Sequence, residues 1–261
     1  MAHVMYENFI LSNKINDILT TAVNINNYLT VDTSMTEGPG MKKKVHTYNS
    51  TGEVEVLGIG EGNTTEGEVT WTEVEYDVLT YQDRVRFYDE TEMTDPMVVD
   101  TGLQHLTDRM VNKFTDLAIA EFDKATLKVE ATAWNFDVVV DAIAKMNLEN
   151  ETGLFLLISP ADQANFRKAL REDLSYSEAF VRSGYIGSVA GVPVIVTKAV
   201  EAGKAYLATK EAVTCYIKKD AETEYERDAN IRQNTYYVRK YAVVALTDTS
   251  KAVKITVGAG E

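Results

Sequence analysis

DPMVVDTGLQHLTDRMVNKFTDLAIAEFDKAT, residues 95–126, is the stretch on which the fold turns. Its apolar residues fall at Val99, Leu103, Leu106, Met110, Phe114, Leu117 and Phe122. Spacings of mostly three and four put them on one stripe of an amphipathic helix. At 1.5 Å per residue, about 29 residues make a rod of roughly 43 Å. Asp95 is placed to cap it, with Pro96 at the first helical position. The run is about twice the usual helix length and lacks heptad discipline. It reads as a strut, not as one strand of a coiled coil.

Upstream, residues 41–88 have β character. Lys42 to Tyr48 and Glu53 to Leu57 flank Asn49-Ser50-Thr51-Gly52, which reads as a hairpin turn. Gly58 to Gly67 holds four of the chain's 15 glycines and few apolar groups, which predicts a flexible loop. Val69 and Trp71 alternate in one phase and Val74, Tyr76 and Val78 in the other, so a bulge is expected near Thr72-Glu73. Such a hairpin has little core of its own and needs another surface to lie on. Glu37-Gly38-Pro39-Gly40 breaks the chain before it. The first 30 residues, with a weak helical pattern around Ile10, Ile15, Ile18 and Leu19, read as an arm.

Downstream, helix and strand signals mix. Phe136 to Met146 reads as a helix and Leu154 to Ile158 as a buried strand. Ser159-Pro160-Ala161-Asp162 starts another helix, carrying Phe166 and Leu170, with Ser as cap and Pro at the first position. Strands are expected at Val192 to Thr197, Ala205 to Ala208, Val213 to Ile217 and Thr235 to Leu246. On the last of these, Tyr236, Val238, Ala242, Val244 and Leu246 share a face, and Lys251 to Val257 is placed to pair back on it. The class is α+β with an antiparallel or mixed sheet.

The 261 residues carry 26 Lys and Arg against 40 Asp and Glu, a formal charge of −14. That balance argues against nucleic-acid binding by phosphate neutralisation. The single cysteine, Cys215, excludes an intrachain disulfide and reads as a small buried apolar residue. No apolar run approaches the roughly 20 residues that span a bilayer, and the N-terminus lacks a signal-peptide pattern. A soluble, intracellularly made protein is expected. His3, His46 and His105 have no metal-ligand spacing. Gly58-Ile59-Gly60-Glu61-Gly62 fails as a phosphate loop: its glutamates repel phosphate, no helix follows, and Lys-Ser or Lys-Thr is missing. Carboxylate pairs (Glu73 and Glu75, Asp89 and Glu90, Glu222 and Glu224) read as solvated faces. Neither catalytic residue, metal nor cofactor is expected.

In order, an arm, a long two-strand excursion, a lone long helix and an α+β domain resemble the major capsid proteins of tailed bacteriophages, the Hong Kong 97-type fold. Gly184-Tyr185-Ile186-Gly187-Ser188-Val189-Ala190-Gly191-Val192-Pro193-Val194 is similar to that family's glycine-rich turn into a strand. Gly203-Lys204-Ala205-Tyr206-Leu207 resembles the next turn and strand, and Asp95 to Lys124 the spine helix. The resemblance implies a non-enzymatic shell protein with residues 1–40 as N-arm and 41–88 as E-loop. Residues 89–130 and 222–261 would form the peripheral domain, and 131–221 the axial domain. It implies pentamers and hexamers of self in an icosahedral shell, made in the host bacterial cytoplasm and found in the virion. Packaged double-stranded DNA would be held without sequence-specific binding, because a lumen that repels DNA lets it spool. A portal and a decoration protein are further implied partners; about 40 residues leave no room for an N-terminal scaffolding segment, so either a separate scaffold exists or the shell assembles without it. One branch of the family joins an E-loop lysine to an asparagine. Here Lys42, Lys43 and Lys44 sit in the hairpin and Asn230 and Asn234 before the final long strand. The lysines lie at the hairpin's base and not its tip, however, and most relatives do without the bond, so a plain band near 29 kDa is expected.

Two other readings stand beside it: an encapsulin-like compartment holding cargo enzymes, and a soluble α+β hydrolase using carboxylates. In a shell of subunits at −14, the basic clusters are expected at intersubunit contacts: Lys42, Lys43 and Lys44, Arg84 with Arg86, and Arg239 with Lys240. Their partners would be acidic patches on a neighbour, such as Glu66 to Glu75 or Glu222 to Glu226.

Overall fold

Alternation and helical periodicity sort the chain into a strut lying between two sheets, with a ribbon projecting from one of them. The computed structural model describes residues 26–95, 97–173 and 188–258. Helix α2 (Met97–Phe122) is the strut, 26 residues and about 39 Å long. A six-residue helix, α1 (Asp89–Thr94), precedes it. Pro96 and the proposed helical pattern of the first 25 residues lie outside the described residues. The buried residues of α2, among them Leu106, Met110, Phe114, Ala118, Ile119 and Phe122, form the expected stripe.

That stripe packs on a four-stranded sheet in the order β1 (Thr30–Asp32), β10 (Val213–Asp228), β11 (Gln233–Leu246), β4 (Leu79–Tyr88). Val238, Ala242, Val244 and Leu246 of β11 share one core with it, as their common face predicted. Strand β10 runs 11 residues beyond the expected Ile217. Its register against β11 shifts between Ile217 and Glu222, so the period-2 pattern breaks there and hides the continuation.

A six-stranded mixed sheet follows: β5 (Leu127–Ala131), β12 (Ala252–Val257), β9 (Lys204–Thr209), β6 (Leu154–Ile158), β8 (Val192–Val196), β7 (Ser188–Val189). Helix α3 (Phe136–Met146) covers it, with Val138, Val139, Ala142 and Met146 in a second core alongside Leu156 and Ile255. Asn135 caps α3 by accepting from the Val138 amide at 2.9 Å, and Asn147 ends it in the left-handed region at φ 49°. Strand β6 and helix α4 (Pro160–Asp173) start where expected, with Ser159 Oγ accepting from the Asp162 amide at 3.1 Å. Ala190 and Gly191, at φ 49° and 80°, make the tight turn between β7 and β8. The preceding residues 184–187 of that glycine-rich stretch lie outside the described residues.

Three expectations are corrected. Strand β12 pairs with β5 in parallel and β9 antiparallel, not with β11, because the Thr247–Lys251 turn carries the chain across to the other sheet. The hairpin does not turn at Asn49–Gly52: β2 (Lys42–Thr51) runs through that segment and pairs with β3 (Glu68–Asp77), leaving residues 52–67 as the loop. The bulge at Thr72-Glu73 is not there, since register runs unbroken from Lys42 opposite Asp77 to Thr51 opposite Glu68. Two apolar phases occur because the ribbon stands away from the body and carries apolar groups on both faces.

Candidate intersubunit surface

Hairpin and body pack together near the hairpin's base. Val45 and Val78 pack with Tyr216, Val243 and Ala245 on the face of the four-stranded sheet opposite α2. Lys43 Nζ lies 4.3 Å from the Tyr216 ring centroid and 3.8 Å from Asp32. Tyr76 packs toward Glu121 at the end of α2, and Lys124 Nζ stands 5.7 Å from its ring. Burial and the neighbouring Glu121 charge raise the Tyr76 pKa, so its phenol stays protonated. Glu121 is itself buried and accepts from the Leu246 amide at 3.4 Å. This clasp escaped the sequence reading, because nothing in a lone Glu on an amphipathic helix announces a partner 45 residues upstream.

Beyond the base, residues opposite each other in register share a face. One face carries Lys42 and Lys44 against Glu75 and Glu73, at 3.2 Å for Lys42–Glu75 and 3.1 Å for Lys44–Glu75, with Lys44 and Glu73 also in contact. Bonding to the carboxylates raises both lysine pKa values, and bonding to the lysines lowers that of Glu75. His46 continues the row, 3.7 Å from Glu73, stacked on Tyr48 at a ring distance of 6.1 Å and tilted against Trp71 at 5.3 Å. Tyr48 is 67% exposed and Trp71 58%.

The 52–67 loop has no regular element but does have an internal brace. Glu55 accepts from the amides of Thr64 (2.9 Å) and Thr65 (2.8 Å) and from both hydroxyls. These four donors hold its carboxyl at a pKa of about 2. Glu61 takes the Gly58 amide at 2.9 Å, so the glycine run is turned by a carboxylate and has no phosphate cradle. Around the brace, Val54 and Val56 are each 98% exposed and Ile59 is fully exposed. Val54 and Val56 lie in the stretch expected as the hairpin's second strand and Ile59 in the expected loop, and neither pattern tells that all three side chains stand exposed.

On the sheet face away from α2, Arg84 and Arg86 point outward, as their alternation with Val85 and Phe87 predicts, with Phe87 buried. Register puts Arg84 beside Tyr237 and Arg86 beside Thr235. Arg239 on the same face is neutralised by Glu224 at 2.7 Å and also donates to Gln82. Lys240 is the correction in this set. It sits on the inward phase between Val238 and Ala242, only 8% exposed, with Nζ 5.4 Å from the Phe114 ring centroid. A side chain under the strut is not at the surface where an intersubunit ion pair needs it. Of the seven basic residues expected at contacts, Lys42, Lys43, Lys44, Arg239 and Lys240 have carboxylate partners in their own chain. Among the described residues Arg84 and Arg86 have no ion-pair partner.

Other candidates resolve as structure. Cys215 is buried, and desolvation raises its thiol pKa, which keeps it a protonated apolar residue. The carboxylate pairs are spent on ion pairs: Asp89 and Glu90 with Arg227 and Arg232, and Glu222 and Glu224 with Lys219 and Arg239. Such surface pairs do not build the concave carboxylate site a hydrolase needs. Among the described residues no cluster of three His, Cys, Asp or Glu is placed to hold a metal. Asn234 is buried and committed to Asp89 and Tyr225, at 2.9 and 2.7 Å.

Comparison with known proteins agrees with this anatomy. A profile of the phage capsid protein family matches residues 71–255. The major capsid protein of Staphylococcus phage phiMR11 is 32% identical over 163 residues, covering 61% of this chain and 58% of that protein. The chain thus matches less than two thirds of that relative's length. The mature capsid of bacteriophage PhiM1 superposes with a TM-score of 0.69 at 13% identity, covering 87% of this chain and 85% of that one. A virus-like particle from Pyrococcus furiosus gives 0.66 at 12% identity, over 95% and 99% of the two chains. At these identities the solved structures establish the fold, and the profile establishes the kinship: with the Hong Kong 97-type architecture of spine, hairpin and two sheets, the chain belongs to the phage capsid protein family.

Proposed function

We propose that this protein is a major capsid protein whose copies, as pentamers and hexamers, close an icosahedral shell around a double-stranded DNA phage genome. One observation carries the reading: a ten-residue-stranded ribbon whose outer half exposes Tyr48, Trp71, Val54, Val56 and Ile59 with no core beneath them. A monomer gains nothing from such a ribbon, whereas neighbours in a shell bury it. The role is architectural and not enzymatic, and the subunit is a virion component made in the bacterial cytoplasm. Residues 1–40 act as arm, 41–88 as E-loop, 89–130 with 222–261 as peripheral domain and 131–221 as axial domain. The strut and the six-stranded sheet support this division, whereas β4 of the 41–88 segment is hydrogen-bonded into the four-stranded sheet and β12 of the 222–261 segment into the six-stranded one. Portal, scaffold and decoration proteins complete the partner set.

The virus-like particle shares the fold, so fold alone does not separate a phage shell from a cargo compartment. Kinship in sequence to a phage major capsid protein favours the phage. The test is expression of the chain followed by analytical ultracentrifugation and electron microscopy. Capsomers or closed shells are expected, and a monomer near 29.1 kDa at all concentrations overturns the reading. Particles purified from an induced host should contain DNA; a packaged enzyme would instead identify a cargo compartment.

A further inference from the structure

Charge is sorted along the hairpin in a way that its own subunit does not use. Between Lys44 and Arg84 the sequence contains no Lys or Arg. The segment from Gly52 to Glu68 carries Glu53, Glu55, Glu61, Glu66 and Glu68. Among the described residues none of these five has an ion pair, and no hydrogen bond joins residues 52–68 to anything outside the hairpin. The lobe is thus an uncompensated acidic surface studded with Val54, Val56 and Ile59. The complementary surface lies on β4. Arg84 and Arg86 are exposed and, among the described residues, have no ion-pair partner, and Tyr237 and the 41% exposed Tyr88 flank them with apolar ring surface. Chain direction keeps the two surfaces of one subunit apart. Strand β3 runs from lobe to base over about 34 Å, and β4 continues from the base into the sheet.

We infer that the acidic lobe of one subunit's hairpin seats on the Arg84–Arg86 surface of a second copy of this chain, a contact that rests on the shell reading and gives it a specific interface. Each copy brings one lobe and one arginine pair, so donors and acceptors match in number. A head-to-tail contact of this kind propagates until a ring or shell closes. The partner is not nucleic acid, because five carboxylates repel a polyanion. Each exposed pair contributes only about 0–1 kcal/mol, so the arginines mainly select register while Val54, Val56 and Ile59 bury apolar surface.

A charge-swap series tests it on the full chain, read by sedimentation, with circular dichroism as the folding control. Arg84→Glu with Arg86→Glu should cut shell yield by about tenfold or more, and so should Glu53→Lys with Glu66→Lys. Glu55 is left intact because it braces the loop. The chain carrying all four changes should return to within about threefold of the unaltered yield, since the contact is restored with its signs exchanged. A four-fold variant that folds but assembles no better than either pair overturns the contact, as does normal shell closure by either pair alone. An unaltered chain that forms no shells overturns the shell reading, and the contact with it.

Discussion

Gly102 shows how one residue sets the distance between strut and sheet. A glycine inside a helix costs about 1 kcal/mol relative to alanine. A Cβ at this position would meet the Phe87 ring at 2.4 Å and Val85 at 3.3 Å, so α2 lies on β4 only without one. Gly102→Ala should therefore destabilise the subunit by about 1–3 kcal/mol despite its better helix propensity, measured by denaturant unfolding of unassembled protein. Asp162 pins another junction. Its buried carboxylate accepts from Trp134 Nε1 (3.0 Å), Ser159 Oγ (2.7 Å) and the Gly203 amide (2.8 Å), joining the start of α4 to two loops of the six-stranded sheet. Asp162→Ala leaves three donors without a partner and should cost about 3 kcal/mol or more in the same measurement. Asp123, at the end of α2, accepts from Lys254 (2.7 Å) and Tyr206 (2.8 Å), and these bonds hold its pKa below the ordinary value. A depressed carboxyl adds stability that is full above the unfolded pKa and lost as pH falls through the folded one. Acid weakening from this group thus begins below about pH 4, and Asp123→Asn should flatten the acid limb of the stability profile between about pH 5 and pH 2.

The hairpin behaves differently from the elements it leaves. Its base is tied by Val45, Val78, the Tyr76–Glu121 contact and the Lys–Glu row, whereas its outer half rests on its own ladder and the Glu55 brace. Excising residues 50–69 and joining Asn49 to Thr70 by an Asn-Gly turn should change subunit stability by less than about 1 kcal/mol, because no core is lost. The same excision should abolish shells in sedimentation. A large drop in melting temperature would show that the outer ribbon supports its own subunit and not a neighbour. The strut makes the opposite demand. Lys240 beneath it meets Phe114 and, at 3.8 Å, Asp220, so a buried charge is held by modest contacts.

In the proposed shell, the charge of −14 per subunit would oppose closure while the inferred arginine contacts would favour it. The Debye length shortens from about 30 Å at 0.01 M salt to about 10 Å at 0.1 M and 3 Å at 1 M. Repulsion between whole subunits is screened first and close ion pairs later. Shell yield followed by light scattering should therefore rise and then fall as salt increases. A yield that only rises would assign closure to apolar burial alone.

Periodicity by itself determined the strut, because a stripe of seven apolar residues at helical spacing has one low-energy solution. It also determined α3, β6 and the start of α4, where caps and breakers sit at the ends, and it placed Arg84 and Arg86 outward by alternation with Val85 and Phe87. Only the tertiary structure decided which strands pair. The β12 pattern fits β11 as well as β9, and the Thr247–Lys251 turn chooses. Alternation already puts Lys240 on the phase of Val238 and Ala242, and the tertiary structure adds that the strut covers that face and buries the lysine against Phe114. The two phases of Val69–Trp71 and Val74–Tyr76 were legible but ambiguous: a bulge and a ribbon exposed on both faces write the same alternation, and only the distance of that ribbon from any core distinguishes them.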